Sequence, residues 1–196
     1  MKTLKIFILG IFLINYSTFA LSIEPREFIQ STVDKASNTL SKEITNEEKI
    51  EILKSLALES VDIKGIGFYT LGKHRKSLND DQKETYSILF RDYFLKSFSS
   101  RLVEWTDPKI IVNNEEVLNK NYTIVDSILR GTDQRPEINI QWRVYTKNKD
   151  KPVIRDVIIE GLSLARTQKE EFSSIINSND GDIDALFKTL KEFAIN

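Results

Sequence analysis

Ile138-Asn139-Ile140-Gln141-Trp142-Arg143-Val144-Tyr145 is the stretch that decides how this chain folds. Apolar and polar side chains alternate along it, the period of a strand whose two faces meet different surroundings. Just upstream, Asn121 to Arg130 alternates too, with Thr123, Val125, Ser127 and Leu129 opposite Tyr122, Ile124, Asp126 and Ile128. Val153 to Glu160 makes a further run, and Ile110-Ile111-Val112 a short first one. Asn113-Asn114, Gly131-Thr132-Asp133 and Lys147 to Asp150 are polar turns between the runs. Four runs joined by short turns predict an antiparallel sheet with one buried face.

Helical spacing holds on either side of the strands. Pro25 to Leu40 carries Phe28, Ile29, Val33, Ala36 and Leu40. Thr45 with Glu48 forms a capping box that opens a helix bearing Ile50, Leu53, Leu56 and Ala57. Asp62 caps a short helix through Ile66, Tyr69 and Leu71, stopped by Gly72. The longest helix is predicted from Asn79 or Asp80 to about Trp105, with Tyr86, Leu89, Phe90, Tyr93 and Phe94 on one face. After Gly161 a helix with Phe172, Ile175 and Ile176 returns, and a last one runs from Asp182 to Phe193. This order predicts an α+β domain, a curved antiparallel four-stranded sheet covered on one face by helices. The two layers can meet fully or leave a cavity between them; periodicity is compatible with both.

A chain of 196 residues suits one domain with one ordinary core. Lys and Arg number 28 against 29 Asp and Glu, so the basic excess of a nucleic-acid binder is missing. The absence of cysteine excludes disulfides, thiolate metal sites and a Cys nucleophile. Lys2 and Lys5, the apolar run Ile6 to Ile14, and Thr18-Phe19-Ala20 have the pattern of a secretory signal peptide. The expectation is therefore a signal peptide over residues 1–20 and a single exported domain over 21–196. That apolar run is shorter than the roughly 20 residues of a membrane span, and no other stretch approaches that length, so no stable membrane insertion is expected.

Catalytic candidates are few. His74 is the only histidine, in a polar turn with Lys73, Arg75 and Lys76, and reads as solvated. Ser163 sits in Gly-Leu-Ser-Leu, not in the Gly-x-Ser-x-Gly elbow of hydrolases. Asp80-Asp81 suits a helix start, and Asp126 and Asp156 are mid-strand acids without a histidine partner. Neither a phosphate-cradling Gly-rich loop nor metal-ligand spacing is present, so no cofactor and no enzymatic activity is expected. Lys73, Arg75 and Lys76 are the cluster able to meet an anionic headgroup or an acidic partner surface.

Three stretches carry a family resemblance. Arg155-Asp156-Val157-Ile158-Ile159-Glu160-Gly161-Leu162-Ser163-Leu164, continued by Thr167-Gln168-Lys169-Glu170-Glu171-Phe172, is similar to the strand-turn-helix signature of the MlaC family, periplasmic phospholipid-binding proteins also called toluene-tolerance auxiliary components. Leu162 and Lys169 stand where that family usually has Val and Arg. Phe68-Tyr69-Thr70-Leu71-Gly72-Lys73-His74-Arg75, followed by Asp81-Gln82, resembles its Leu-Gly turn, with Arg75 in place of the usual Trp. Phe90, Tyr93 and Arg101-Leu102 match its helix positions.

The resemblance implies an NTF2-like cone enclosing an apolar phospholipid cavity. It implies a periplasmic carrier that shuttles phospholipid between an outer-membrane lipoprotein-porin complex and an inner-membrane ABC transporter with a lipid-binding ring, maintaining outer-membrane lipid asymmetry. The expected wall comprises Phe68, Leu71, Phe90, Tyr93, Phe94, Phe98, Leu129, Trp142, Val144, Val157, Ile159 and Phe172. Ordinary core packing is the competing role for each. Two other functions compete for the chain as a whole: an NTF2-like enzyme using Asp126 or Asp156, and a ligand-free interaction module.

Overall fold

The computed structural model describes residues 22–133 and 135–195. The signal-peptide expectation over 1–20 lies outside the described residues. Helix α1 (Pro25–Leu40) starts with proline in its first turn, where no backbone donor is missed. Helix α2 (Asn46–Ser60) opens on the expected capping box: Thr45 accepts from the Glu48 backbone, and Glu48 accepts from that of Thr45. Asp62 caps α3 (Ile63–Thr70), a 3₁₀ turn follows over Gly72–Lys76, and Asn79 with Gln82 boxes the start of α4 (Asp80–Leu102).

Five strands follow: β1 (Ile110–Asn119), β2 (Tyr122–Leu129), β3 (Ile138–Tyr145), β4 (Val153–Ile159) and β5 (Leu162–Ser163), then α5 (Leu164–Asn177) and α6 (Ile183–Ile195). The strands pair antiparallel in chain order.

Three expectations are corrected here. The sheet has five strands, not four, because Glu160 and Gly161 both take positive φ and fold back a two-residue turn that pairs Leu162 with Ile159. Strand β1 does not stop at Val112. Asn113-Asn114 is a bulge between the Val112 and Glu115 pairings, and backbone bonds to β2 carry the poor strand formers beyond it. Helix α4 ends at Leu102; Trp105 lies past it, beneath the Arg135 guanidinium. Further register shifts sit between Val117 and Asn119 of β1 and between Arg143 and Val144 where β3 meets β4, and such irregularities bend a sheet.

Two separate clusters hold the interior. One joins the helices: Ile63, Ile66, Leu71, Tyr86, Phe90, Phe172, Ile176, Leu186 and Leu190. Gly67 lets α3 approach α4 closely, since a Cβ there would lie 2.7 Å from the Phe90 ring. The other cluster packs Ile29 and Val33 of α1 on Val125, Val144 and Ile154 of the sheet. Among the residues packed against them, Val61 is common to both.

Strand β4 ties the layers together. Val61 bridges to Ile154, and the Asp62 N–H donates to the Ile154 carbonyl at 3.0 Å. Arg155 donates to Asp62 Oδ2 from Nε at 2.7 Å and to the Tyr122 hydroxyl at 2.9 Å, with its guanidinium 3.7 Å from the Tyr145 ring centroid. Buried Asp156 accepts from Ser163 Oγ at 2.6 Å, the Ala165 N–H at 3.0 Å and Arg143 at 3.2 Å, so it anchors the first turn of α5. Replacing Asp156 with Ala orphans these donors, and about 2–4 kcal/mol of stability should be lost. Urea unfolding of the two proteins checks this, and a difference under about 0.5 kcal/mol would deny Asp156 the anchoring role.

Candidate functional site

Register fixes which side chains share the inner face of the sheet. Thr123, Val125, Ser127 and Leu129 stand opposite Val144, Trp142, Ile140 and Ile138, and the last three of β3 to meet β4 pair Val144 with Ile154, Trp142 with Val157 and Ile140 with Ile159. Because α1 packs on Val125, Val144 and Ile154, this is the face the helices cover. Coverage is uneven along it. The end near Val125 and Val144 is filled by Ile29 and Val33. At the other end lie Leu129, Ile140 and Ile159, while Trp142, paired with both Val125 and Val157, packs with Val157 against the edge of the filled cluster. Leu129 and Ile140 are buried yet belong to neither core cluster, and Ile159 is half-buried.

Polar atoms at that end are tied into the sheet. The Trp142 indole N–H donates to Ser127 Oγ at 2.8 Å, and the Ser127 hydroxyl donates to the Ile140 carbonyl at 3.3 Å. A tryptophan whose only donor is satisfied sideways presents hydrocarbon. On α4 a second apolar surface is built from rings: Phe94 and Phe98 stack at 5.8 Å with 9° between their planes, and Phe90 lies 6.2 Å from Phe94. Tyr93 donates its hydroxyl to Gln168 Oε1 at 2.7 Å, and burial, with the Glu171 charge adding to it, raises its phenol above the ordinary range. Every residue from Asp92 to Phe98 is half-buried, and α4 packs on α2, α3 and α6 rather than on the strands.

The expected wall residues thus separate into three groups. Leu71, Phe90, Val144 and Phe172, at 0–2% exposure, are packed among the protein's own side chains as core. Phe94, Phe98, Leu129, Trp142, Val157 and Ile159 lie along the two apolar surfaces just described, and Tyr93 edges the helical one. Phe68 packs at the edge of the helical core with its ring beneath cations: the Arg75 guanidinium is 4.7 Å and the Lys64 ammonium 6.0 Å from its centroid. Ile140, legible in the same alternation as Trp142, stands on the same face of the sheet and is buried. Two outer grooves use none of these residues. One of about 520 Å³ runs along α5 from Lys169 to Ser178, and one of about 480 Å³ lies between α1 and Val112.

The acids considered for catalysis are engaged. Asp126 accepts from Gln141 Nε2 at 2.9 Å, and Asp156 anchors α5. His74 corrects the sequence reading of a solvated side chain: it is half-buried, and its Nε2 is buried without a hydrogen-bond partner among the described residues. Burial, helped by the neighbouring Lys73 charge, lowers its pKa.

The family model described as MlaC protein matches residues 27–192. The intermembrane phospholipid transport system binding protein MlaC of Haemophilus influenzae is 23% identical over 203 residues, covering 98% of this chain and 92% of that protein. Among solved structures, a phospholipid-binding protein from Ralstonia solanacearum, in complex with a phospholipid, superposes with a TM-score of 0.73 at 16% identity. That likeness covers 88% of this chain and 98% of the other, and it shows the same fold.

The lowered His74 pKa has a definite sign in stability. The unfolded chain binds this proton more readily than the folded one, so stability should fall as pH drops through the ordinary histidine value of about 6.5. Denaturant unfolding at about pH 7.5 and 5.5 should show a smaller acid loss for His74→Gln than for the parent protein. An equal loss in both proteins would refute the assignment.

Proposed function

Because this chain belongs to the MlaC family, we propose that it is a periplasmic phospholipid carrier that takes lipid between an outer-membrane complex and an inner-membrane ABC transporter. The observation that carries the reading is the divided interior. The helices close one core among themselves and α1 closes another on the sheet, while Leu129, Ile140, Ile159 and Phe98 belong to neither, bordered by Trp142 and Val157 at the edge of the second core and Phe94 at the edge of the first. We take Leu129, Ile140, Trp142, Val157 and Ile159 as one wall for acyl chains, and Phe94 and Phe98 as the other. The bound phospholipid of the Ralstonia protein, which shares this fold, supports phospholipid as the ligand.

The chemistry required is modest. A carrier has to take hydrocarbon out of water, and burying one methylene contributes roughly 0.8 kcal/mol, so two chains of roughly 16 carbons gain on the order of 25 kcal/mol gross. Ordering and association costs remove much of that. What remains keeps spontaneous release slow, so a carrier needs an acceptor that opens it or binds lipid more strongly. No nucleophile or metal is needed, and the engagement of Asp126 and Asp156 speaks for binding rather than turnover. No described helix is long and apolar enough to cross a membrane, which suits a shuttle. Export through a signal peptide over residues 1–20 would place residues 21–196 in the periplasm as one lipid-binding domain.

Organic extraction of the purified protein followed by mass spectrometry tests this directly. About one phospholipid per protein is expected of a single apolar site. Protein that carries none and takes up none from vesicles would sink the proposal. Within the same framework, Phe98→Asp and Val157→Asp should strip lipid while leaving a cooperative melt. Val144→Asp, in filled core, should instead lose several kcal/mol and fail to fold. Lipid retention by both wall variants would move the wall elsewhere.

A further inference from the structure

The cations around α3 form a patch that the carrier reading has not used. Lys64, Lys73, Arg75, Lys76 and Lys169 come from α3, the 3₁₀ turn after it and α5. Three of them rest on two adjacent aromatic rings. Arg75 and Lys64 lie over Phe68, and the Lys169 ammonium is 5.3 Å from the Tyr69 centroid. The turn is drawn against α5, since a Cβ on Gly72 would meet Lys169 Cε at 2.8 Å. Among the described residues none of the five forms an ion pair; the next acid along the chain, Asp80, is paired with Lys83. A chain of net charge -1 therefore concentrates unneutralised positive charge on one outer face.

We propose that this face docks an acidic protein surface, carboxylate-rich and complementary to the cations that the two rings hold in place. Cation–ring contacts fix the position of a charge without neutralising it, which preserves its field for a partner. Long side chains held in this way lose less freedom on binding than loose ones. A bilayer fits less well. The Phe68 ring lies beneath two cations, so of the two rings only Tyr69, itself under the Lys169 ammonium, is exposed. The most exposed aliphatic side chains, Val117, Leu162 and Ile195, belong to other elements. Beside Lys169 the groove along α5 is lined by Glu170, Ser173, Ser174, Asn177 and Ser178; its hydroxyls and amide extend the face with neutral hydrogen-bonding groups, and the Glu170 carboxylate marks the limit of the cationic area on that side. The inference deepens the carrier reading, because a carrier that releases lipid slowly has to be recognised by its acceptor.

The test uses the purified protein and a fluorescent Glu-rich synthetic peptide, with anisotropy read at low salt. The triple variant Lys64→Glu/Lys73→Glu/Lys169→Glu should weaken binding at least about tenfold, and added salt should weaken the parent. The same charge change on the exposed β3–β4 turn, Lys147→Glu/Lys149→Glu/Lys151→Glu, should weaken it less than about twofold. Equal losses in the two variants, or no binding by the parent, would overturn the proposal. So would binding to phosphatidylglycerol vesicles in preference to the peptide, which would make the face a membrane contact. Extraction of the same samples keeps the two readings apart. A parent without phospholipid defeats the carrier reading and leaves the docking result standing. Lipid lost only from the Lys64/Lys73/Lys169 variant would assign those cations to the headgroup and overturn docking.

Discussion

The helices and the sheet are fastened to each other along β4, and the rest of the architecture depends on that seam. At one end Val61 and Asp62 bond its edge at Ile154, and Arg155 clasps the Asp62 carboxylate that also caps α3. At the other end Asp156 holds Ser163 and Ala165, so α5 starts in register with the strand. Both are half-buried or buried ionic contacts, whose cost of desolvation is offset only when every donor is met. Here Arg155 also has the Tyr122 hydroxyl and the Tyr145 ring, and Asp156 has three donors.

Fastening at a seam rather than over a whole face has a packing consequence. A sheet pressed on a helical layer throughout would merge the two sets of buried side chains into one core. In this chain they remain two, because α4 packs among helices, α1 lies on β1 and β2, and α3 and α5 meet the sheet at β4. The bulges at Asn113-Asn114 and beside Arg143 bend the sheet, so its far end need not follow the helices. Apolar side chains outside both cores are what a carrier of acyl chains requires, and the proposed walls draw on them.

The outer surface is ordered by a different force. The cations after α3 are placed by rings, not by carboxylates, and the replacement of an expected aromatic by Arg75 puts one more charge over Phe68. Apolar packing inside and charge outside thus occupy two regions, with α3 contributing to each: Ile63 and Ile66 to the helical core, Lys64 and Tyr69 to the surface.

Much of the fold was legible along the chain because helix and strand periods are local. Capping boxes at Thr45 and Asn79, the Asp62 cap and the alternation of β2 and β3 are each decided within a few residues. The family resemblance was legible as well, in the run from Arg155 to Phe172, whose chemistry the structure explains: Asp156 anchors, Glu160-Gly161 turns, and Ser163 caps. What the tertiary structure alone decided is which apolar residues are core and which remain as surface. Phe90 and Phe94 are neighbours on one helix with the same chemistry, yet Phe90 is 2% exposed against Gly67 and Phe172 while Phe94 is half-buried. Burial depends on what another element, distant in sequence, brings to the same place, and periodicity within one element carries no record of that.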